Sequence, residues 1–364
     1  MTLAEWFDDY EDRDWQTATS GTVRYAIIGL GWWATDVAVP AIADSALGET
    51  TTVVSSSREK AERVATENDI PHAITYDEFH AGETTDAYDA VYVSTPNAHH
   101  HEYVTTAAEQ GKGILCEKPM EATVERAEEM LETCRDEDAT LMVAYRMQTD
   151  PAVRRARELV EQGFIGEPVS VYGHNSQPLL EMIPDTDQWR LTPAITGYGT
   201  SVMDLGIYSI NTARYLLDRD PERVQAMMAS ESEAFESLDD ERASFLLDFG
   251  DVEMVSTATQ NGQSDSQLKI TGTEGQIELR PAFHGECRLH AVRGDRRADF
   301  DRAFGAEEEM CEEFDYFADR LLTDGAIEPD GEHALTDLRI IKALHEAAET
   351  GTVIDVEGEP NCRS

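Results

Sequence analysis

The segment 23–34 constrains the fold of this chain more than any other. Residues 23–28 form a short apolar and β-branched run, which Gly-Leu-Gly-Trp-Trp-Ala follows at once. A plausible helix then runs from Val37 to Ala46. Strand, glycine turn and helix in this order begin a doubly wound, dinucleotide-binding sheet. The sequence therefore predicts an N-terminal Rossmann domain.

Each residue of this turn has a predicted place in dinucleotide binding. Gly29 would make the tight turn, Gly31 would let the backbone approach the pyrophosphate, and Ala34 would permit close helix packing. The first turn of the helix would offer amide donors and a positive dipole to the phosphates. Trp32 and Trp33 are expected to line the same site.

The second predicted strand, 51–55, ends in Ser56, Ser57 and Arg58. A carboxylate at this place binds a ribose 2′-hydroxyl and would repel a 2′-phosphate. Two hydroxyls and a guanidinium would instead bind that phosphate, so the sequence favours NADP over NAD. The alternative is that Arg58 only opens a solvated helix.

Two further strands end in polar residues. Strand 90–94 is followed by Thr95, Pro96 and Asn97, and strand 114–116 is followed by Glu117, Lys118 and Pro119. Ligands of such folds bind at the carboxyl edge of the sheet. We therefore expect these residues to face a ligand.

Three adjacent histidines, 99–101, follow the first of these turns. Adjacent helical positions point in different directions and cannot converge on one metal ion. We expect solvated or helix-capping histidines, with His100 as a candidate for the cofactor site.

A glycine-rich approach leads into a segment that carries Asp204, Tyr208 and Asn211. On a helix, Asp204 and Tyr208 would project together, and Asn211 would continue the same stripe. The pair would suit proton transfer, whereas the alternative is a half-buried packing pair.

The remaining segments predict a second α/β domain. Short alternating runs broken by Gly or Asp are typical of an antiparallel sheet: 168–173, 223–230, 243–249, 253–260, 267–272, 276–280 and 287–292. Helices are predicted at 58–67, 101–110, 123–137, 150–163, 307–322 and 333–349. We divide the chain into an acidic and aromatic arm (1–20), a Rossmann domain (21–145) and an α/β domain (146–364), whose last helix could pack back on the Rossmann domain.

The formal net charge is -44, from 73 acidic and 29 basic residues. The acids lie among segments of ordinary apolar periodicity, so they are expected to coat a folded core. Self-repulsion of this size destabilises a compact state unless salt screens it, which favours a very salty cytoplasm. The same charge argues against nucleic acid or an anionic membrane as a partner.

Five cysteines (116, 134, 287, 311 and 362) show no metal-binding spacing. An odd, scattered set indicates reduced thiols in a cytoplasmic protein. The N-terminus lacks the apolar region of a signal peptide, and no run is long enough to span a membrane. We expect a soluble, cytoplasmic protein.

Four motifs in register resemble one family. They are GLGWWA at 29–34, STPNAHH at 94–100, CEKP at 116–119 and GTSVMDLGIYSIN at 199–211. In this order they resemble the glucose-fructose oxidoreductase, inositol dehydrogenase and MocA family over nearly the whole chain after residue 20. The resemblance implies a Rossmann domain and a C-terminal α/β domain with a large, mostly antiparallel open sheet. That sheet commonly forms dimer contacts, so a homo-oligomer is expected.

The resemblance also implies roles for single residues. Lys118 and Tyr208 would face the nicotinamide, Pro119 would follow a cis peptide, and Asn97 and Glu117 would line the nicotinamide ribose. Four weaker candidates would reach the substrate or the cofactor: Arg146, Gln148, Trp189 and Arg190. Other members carry His in place of Tyr208, so the tyrosine points to the branch of glucose-fructose, dihydrodiol and xylose dehydrogenases.

These roles describe oxidation of a sugar hydroxyl. Tyr208 can act as the base if the ammonium of Lys118 favours its phenolate, while Asp204 holds a substrate hydroxyl or orients Lys118. No metal is expected. The resemblance implies NADP-dependent oxidation of an aldose at C1 to the lactone, with D-xylose as the specific expectation. The rivals are a transhydrogenase that keeps its NADP tightly bound and a non-catalytic NADP sensor.

Overall fold

The computed structural model describes Trp6 and residues 13–15, 20–300 and 306–356. Contacts divide the chain into two compact units. The first unit comprises Arg13–Arg146 with Ala306–Leu335, and the second comprises Met147–Gly305 and Thr336–Ser364 with Met1–Asp12. The predicted boundary at residue 145 assigns 306–335 to the C-terminal domain, whereas the structure groups this segment with the first unit.

The first unit is built on a six-stranded parallel sheet of order β3-β2-β1-β4-β5-β6. Its strands are β1 (Val23–Ile28), β2 (Gly48–Ser55), β3 (His72–Thr75), β4 (Ala90–Val93), β5 (Gly113–Glu117) and β6 (Leu141–Ala144). Most of their residues are buried, because helices cover both faces of a parallel sheet. In the register of the sheet Ile28 pairs with Val93 and Val93 pairs with Cys116, so the ends of β1, β4 and β5 meet at one edge.

Six helices accompany this sheet. They are α1 (Val39–Asp44), α2 (Arg58–Glu67), α3 (Tyr76–His80), α4 (His100–Glu109), α5 (Val124–Asp136) and, from the C-terminal part of the chain, α10 (Ala306–Thr323). Helix α10 joins the core of this unit through Phe314, whose ring meets Tyr25 at 5.3 Å and Tyr92 at 5.1 Å between centroids. Helix α10, which lies far from Tyr25 and Tyr92 in the sequence, therefore contributes to the core of the first unit.

The second unit contains a nine-stranded sheet of order β14-β13-β12-β11-β7-β10-β9-β8-β15. Its strands are β7 (Pro168–Pro178), β8 (Arg223–Ala229), β9 (Arg242–Asp248), β10 (Glu253–Thr259), β11 (Asn261–Gly272), β12 (Gly275–Leu279), β13 (Leu289–Arg293), β14 (Arg296–Phe300) and β15 (Ile354–Asp355). Among the described strands of this second sheet, β7 and β10 are the one pair that runs in parallel. Along most of these strands buried and more exposed residues alternate, so one face of the sheet is packed and the other is open to solvent.

The helices of the second unit are α6 (Pro151–Glu161), α7 (Leu179–Met182), α8 (Pro193–Thr196), α9 (Ile207–Leu217) and most of α11 (Gly331–Thr350). A π-helical turn, Val202–Gly206, leads directly into α9. Helix α9 lies close on the sheet, because a Cβ at Gly173 of β7 would come within 2.9 Å of the Ser209 side chain. Every residue of α9 is buried.

The aromatic arm contacts this chain itself. The Trp6 ring meets Phe164 edge-on at 5.5 Å, and the Arg293 guanidinium lies 5.5 Å from its centroid. Trp15 is buried in the first unit against Tyr316. Phe7 and Tyr10, the other two aromatics of the predicted arm, lie outside the described residues.

The structure confirms the predicted fold class, a parallel Rossmann sheet followed by a large, mostly antiparallel sheet. Three strands were not predicted: β3, β14 and β15. All three are edge strands of two to five residues, too short or too charged for an alternating pattern. The predicted helix 37–46 begins earlier than expected, as a π-helical turn at Ala34–Ala38.

Candidate active site

The glycine turn after β1 has the geometry that dinucleotide binding requires. Gly29 has a φ of +91°, and a Cβ there would lie 2.6 Å from the carbonyl oxygen of Ser94 at the end of β4. Gly31 is exposed, and a Cβ at this position would meet no atom within 4 Å. Gly29 is thus needed by the fold itself, whereas Gly31 leaves open space in which a phosphate could approach the backbone.

The residues after Gly31 range from an exposed tryptophan, Trp32, to a fully buried alanine, Ala34. Trp32 is 52% exposed and meets Trp33 edge-on at 5.4 Å. The guanidinium of Arg146 lies 5.6 Å from the Trp33 centroid, and its Nε donates to Glu309 at 2.8 Å. Ala34 is fully buried. The structure therefore brings the predicted residues Trp33 and Arg146 together.

At the predicted 2′-phosphate site, the guanidinium of Arg58 is already paired with a carboxylate of the same chain. Ser56 and Ser57 are exposed, and the Ser57 hydroxyl caps α2 by accepting from the Lys60 amide at 3.2 Å. Arg58 forms an ion pair with Glu78. The guanidinium is therefore held beside the end of β2, and a phosphate bound there would share it with a carboxylate.

His100 is buried, and the expectation of a solvated or capping histidine is wrong for it. It is 1% exposed, with Nε2 at 2.8 Å from the Thr95 carbonyl oxygen and Nδ1 at 3.1 Å from the Pro119 carbonyl oxygen. The imidazole thus bridges the loops that follow β4 and β5. Its neighbours His99 and His101 lie outside this bridge, and His99 is exposed.

Thr95 and Asn97 are buried in the loop after β4. The hydroxyl oxygen of Thr95 has no hydrogen-bond partner within the described part of the chain. A buried hydroxyl usually finds one, so this atom at the ligand-binding edge fits a bound nucleotide. Pro96 lies between them and begins the 3₁₀ turn Asn97–His99.

The end of β5 presents Glu117 and Lys118 at the same edge. The peptide between Lys118 and Pro119 is cis, as the resemblance implies. The Tyr92 hydroxyl donates to the Glu117 carboxylate at 2.5 Å. Burial and the nearby Glu117 charge raise the pKa of Tyr92 well above its usual range, so it remains a donor. The neutral phenol of Tyr92 consequently holds the Glu117 carboxylate in place through this hydrogen bond.

Two buried acids of α10 complete this region and were not predicted. Glu309 is 1% and Glu313 0% exposed, one helical turn apart. Burial raises the pKa of Glu313 well above its usual range, and the Glu117 charge adds to the effect. Burial also raises the pKa of Glu309, against the opposing charge of Arg146. Nothing near Glu117 in the sequence could have indicated these residues.

In the second unit, Asp204 is held by two side chains. Arg190 Nε donates to its Oδ2 at 3.2 Å and Gln260 Nε2 donates to the same oxygen at 2.9 Å. The Trp189 ring lies under the guanidinium of Arg190, 4.4 Å from its centroid. The structure therefore assembles Trp189, Arg190 and Asp204, and it adds Gln260, which was not predicted.

Tyr208 is 8% exposed and its ring lies between two residues of the loop after β12. Phe283 is tilted against it at 5.7 Å and His284 meets it edge-on at 5.3 Å between centroids. Neither residue was predicted, because the loop lies about 75 positions further along the chain. Lys118 belongs to the first unit and Tyr208 to the second, so their pairing stays a prediction.

Asn211 does not extend the stripe toward a ligand. Its side chain accepts from Gln148 Nε2 at 3.0 Å and donates to Asp337 Oδ2 at 2.8 Å. Gln148, a predicted substrate residue, is itself 3% exposed. Both residues therefore belong to a buried network behind Tyr208 rather than to an open surface.

Within the described ranges, no group of three His, Cys, Asp or Glu side chains is arranged to hold a metal ion. Over the same residues, no helix combines the length and the apolar character that crossing a bilayer requires.

Comparison with family models matches both halves of the chain. Residues 23–145 match the model described as oxidoreductase family, NAD-binding Rossmann fold, and residues 153–278 match the GFO/IDH/MocA C-terminal domain. The chain belongs to the GFO/IDH/MocA oxidoreductase family. It is an oxidoreductase, as the four motifs indicate.

Relatives of this family cover nearly the whole chain. The chain is 51% identical to D-xylose 1-dehydrogenase [NADP(+)] of Haloarcula marismortui over 96% of its own length and 98% of that protein. It is 30% identical to D-xylose 1-dehydrogenase (NADP(+)) 2 of Haloferax volcanii, over 92% of this chain and all of that protein.

A solved structure shares the fold of this chain closely. The aldose-aldose oxidoreductase from Caulobacter crescentus, crystallised with glycerol, matches with a TM-score of 0.86 and 30% identity. The match covers 92% of this chain and 99% of that one.

Proposed function

We propose that this chain is an NADP-dependent dehydrogenase that oxidises an aldose, D-xylose first, at C1 to the lactone. One observation carries the proposal: 51% identity over 96% of the chain to a protein named D-xylose 1-dehydrogenase [NADP(+)]. The relative from Haloferax volcanii, also named for NADP and D-xylose, supports the same substrate and cofactor.

The residues present in the first unit fit a dinucleotide. The open space at Gly31 suits a pyrophosphate, and the unpartnered Thr95 hydroxyl lies at the sheet edge where the nucleotide would run. We assign the nucleotide to the turn Gly29–Ala34, with its 2′-phosphate at Ser56, Ser57 and Arg58. Glu117, Asn97, Pro96 and His100 shape the nicotinamide end, and Arg146 supports it through Trp33. When bound, NADP supplies the hydride acceptor.

We assign the proton chemistry to Tyr208 with help from Lys118. The C1 hydroxyl of the sugar would give its proton to the Tyr208 oxygen while the hydrogen on C1 leaves as hydride, which converts the cyclic hemiacetal to a lactone. The ammonium of Lys118 would stabilise the phenolate that receives the proton. Asp204, fixed by Arg190 and Gln260, would accept a hydrogen bond from another sugar hydroxyl. Trp189 would support it through Arg190, and Gln148 would act on the site through Asn211.

The exposed face of the second sheet supports a homo-oligomer. Leu246, Val255 and Tyr172 are paired neighbours on adjacent strands and are 38%, 46% and 44% exposed. Met227, one strand further, is 79% exposed. An apolar row of this kind on a surface with so many acids is best covered by a second copy of the chain. Light scattering should give at least twice the 40.5 kDa chain mass, and Val255→Glu should reduce it.

We place the enzyme in the cytoplasm of a salt-rich cell. The net charge of -44 supports this. The cysteines of the described ranges, Cys116, Cys134, Cys287 and Cys311, are free thiols, and Cys362 lies outside those ranges. Activity and melting temperature should rise steeply between dilute buffer and molar salt. Full activity and stability without added salt would contradict this placement.

The test of the function is a panel of aldoses assayed with NADP and with NAD in molar KCl. We expect reduction of NADP with D-xylose and much slower reduction with NAD. Absence of nucleotide reduction with every aldose would overturn the proposal and favour the sensor.

The likeness to aldose-aldose oxidoreductase favours one second candidate, a transhydrogenase that retains its NADP. Purified, dialysed protein would then carry NADP and oxidise one sugar while reducing another, with no nucleotide added. Nucleotide-free protein that requires added NADP would exclude this candidate.

A further inference from the structure

Asp240, a carboxylate of the second unit, does not belong to the acidic surface. Asp240 is fully buried, and its oxygens accept from the Thr200 amide at 2.7 Å and from the Val202 amide at 2.9 Å. These amides stand at the start of the π-helical turn that runs into α9. The first amides of a helix have no partner within the helix, so Asp240 satisfies them from a remote loop.

The neighbouring glycine is shaped around this carboxylate. Gly199 has a φ of +80°, and a Cβ there would lie 2.4 Å from Asp240 Oδ1. Any other residue would therefore have to displace either the backbone or the acid. In the glycine-rich stretch before Asp204, Gly199 thus leaves room for the Asp240 carboxylate, and a larger residue would not fit on the side that faces it.

A second anchor fixes the same turn one residue later. The Ser201 hydroxyl donates to the Glu241 carbonyl at 2.8 Å and accepts from the Gln260 amide at 3.0 Å. Gln260 in turn donates its side-chain amide to Asp204 at 2.9 Å. Asp240 and Ser201 together determine where the turn begins and hence where Asp204 lies.

The carbonyl side of the turn is held as well. Asn175 of β7 donates its side-chain amide to the Leu205 carbonyl at 3.1 Å. A π-helical turn breaks the regular hydrogen-bond ladder, and such a carbonyl needs an outside partner. Tyr208 follows within one turn on α9. A displacement of the backbone at the start of the segment would therefore also move the Tyr208 ring.

We infer that Asp240 is a positioning residue, which caps the segment 200–217 and thereby sets Asp204 and Tyr208 in register with the sugar. The inference rests on the proposed function, since it concerns the same site. Asp240 itself touches no substrate. Its exposed neighbour Asp239 carries the same charge at the surface and provides a matched control.

The experiment compares wild type with Asp240→Asn, Gly199→Ala, the double variant and Asp239→Asn, all in molar salt with D-xylose and NADP. Asp240→Asn places an amide donor against backbone donors, and Gly199→Ala pushes the carboxylate away. We expect each to lower kcat/KM for D-xylose about 10- to 100-fold, because small displacements of reacting groups have effects of this size. The double variant should lose no more than the worse single variant, since both changes break one contact.

Affinity for NADP separates positioning from general damage. Fluorescence titration of NADP should give dissociation constants within about twofold of wild type for all variants. Asp239→Asn should match wild type throughout. Equal behaviour of Asp240→Asn and Asp239→Asn, or a loss of NADP affinity that parallels the loss of kcat/KM, would overturn the inference.

Failure of the proposed function and failure of a variant to fold can both be told apart from failure of the positioning role. If wild type itself reduces no NADP with any aldose, the proposed function fails, and the inference about this site fails with it. If Asp240→Asn does not fold, Gly199→Ala decides, because it keeps the carboxylate and displaces either the acid or the backbone at its contact with the Thr200 amide.

Discussion

The two units place their functional side chains in different ways. In the first unit, Gly29, Thr95 and Lys118 directly follow strands of one parallel sheet, so the order of strands alone brings them to one edge. In the second unit, Asp204 and Tyr208 depend on partners far away in the sequence, such as Gln260 and His284. Backbone topology builds the proposed cofactor edge, whereas long-range side-chain contacts build the proposed substrate side.

This difference predicts which substitutions have effects confined to their own position and which affect distant residues. A change in the first unit should affect nucleotide binding or stability at its own position. A change in the second unit should affect turnover, even when the residue is remote from the sugar. The following predictions test that contrast, beginning with the largest effect.

Tyr208→Phe should have the largest effect. It removes the proposed proton acceptor but keeps the ring between Phe283 and His284. We expect kcat with D-xylose to fall about 10²- to 10⁴-fold, the usual contribution of a general base. The dissociation constant of NADP should not change. Near-normal turnover, measured as NADPH absorbance in molar salt, would remove Tyr208 from the mechanism.

Gly29→Ala and Gly31→Ala should separate folding from binding within the first unit. Gly29→Ala forces a Cβ toward the Ser94 carbonyl at positive φ, so the free energy of unfolding should fall by about 1–3 kcal/mol without nucleotide. Gly31→Ala meets no atom and should leave that free energy within about 0.5 kcal/mol of wild type.

Gly31→Ala should weaken NADP binding by about tenfold or more, because its methyl group would occupy the space proposed for the pyrophosphate. Gly29→Ala should weaken NADP binding indirectly, because the clash with Ser94 displaces the turn. Thermal denaturation with and without NADP measures the two effects together. A Gly31→Ala protein that binds NADP as wild type does would show that the nucleotide does not cross this turn.

Arg58→Ala should change the choice between nucleotides. Loss of a charge-assisted hydrogen bond to the 2′-phosphate should raise KM for NADP about tenfold while KM for NAD stays within about twofold. Glu78→Gln is the matched variant, because it removes the carboxylate that now shares the guanidinium. It should leave KM for NADP equal or lower. If Arg58→Ala raises both KM values alike, the phosphate lies elsewhere.

The last comparison concerns Asp240, which is fully buried, and His345, whose Nε2 lies 3.9 Å from Asp240 Oδ2. Burial raises the pKa of Asp240 from 3.8 to about 7, and the Asp239 charge adds to this against the backbone hydrogen bonds from Val202 and Thr200. Burial lowers the pKa of His345 from 6.5 to about 4, while the Asp239 charge opposes the shift. Glu241 is the next acid along the chain. Although desolvation opposes it, hydrogen bonds from Asn261 and Ser232 lower the pKa of Glu241 to about 2.

The signs of the two shifts cancel in the wild type. Between about pH 4 and 6.5 the native pair and the unfolded pair each bind one proton, so this pair contributes no slope to the free energy of unfolding. In His345→Gln only Asp240 remains, with a raised native pKa. Its stabilisation is complete below the unfolded pKa and is lost as pH rises toward 7.

Chemical denaturation across this range should therefore give a free energy of unfolding for His345→Gln that falls, relative to wild type, by about 1.4 kcal/mol per pH unit. Asp240→Asn should show the opposite slope, because the lowered pKa of His345 stabilises above its unfolded value. Parallel profiles for wild type and both variants would show that the pair does not hold a proton in this way.

The sequence predicted much of the first unit because its site follows from a repeated local pattern. Each of Gly29, Thr95 and Lys118 comes directly after an apolar run, and parallel strands then bring the three together. What it missed lies elsewhere in the chain: Glu309 and Glu313 reach the first unit from α10. The burial of His100 was also missed, because three adjacent histidines give no sign of which one fills the gap between two loops.

The second unit was predictable as a class of fold but not as a site. Alternating runs indicated the antiparallel sheet, while Asp204 and Tyr208 were proposed as site residues from helical spacing and family resemblance, and their roles stay predictions. The π-helical turn at Val202–Gly206 has no local signature, because Asn175 and Asp240 stabilise it from other elements. Asp240 itself stands between two other acids, Asp239 and Glu241, and nothing in the local sequence marks it as the one that caps the turn.

The proposed reaction is hydride transfer from C1 of an aldose to NADP. D-xylose that carries deuterium at C1 can be oxidised by the wild-type enzyme in molar salt, and the reduced nucleotide can then be examined by proton NMR. We expect one deuterium at C4 of the nicotinamide in each NADPH formed and xylonolactone as the product. NADPH with only protium at C4 would show that the hydride comes from another carbon, and would contradict oxidation at C1.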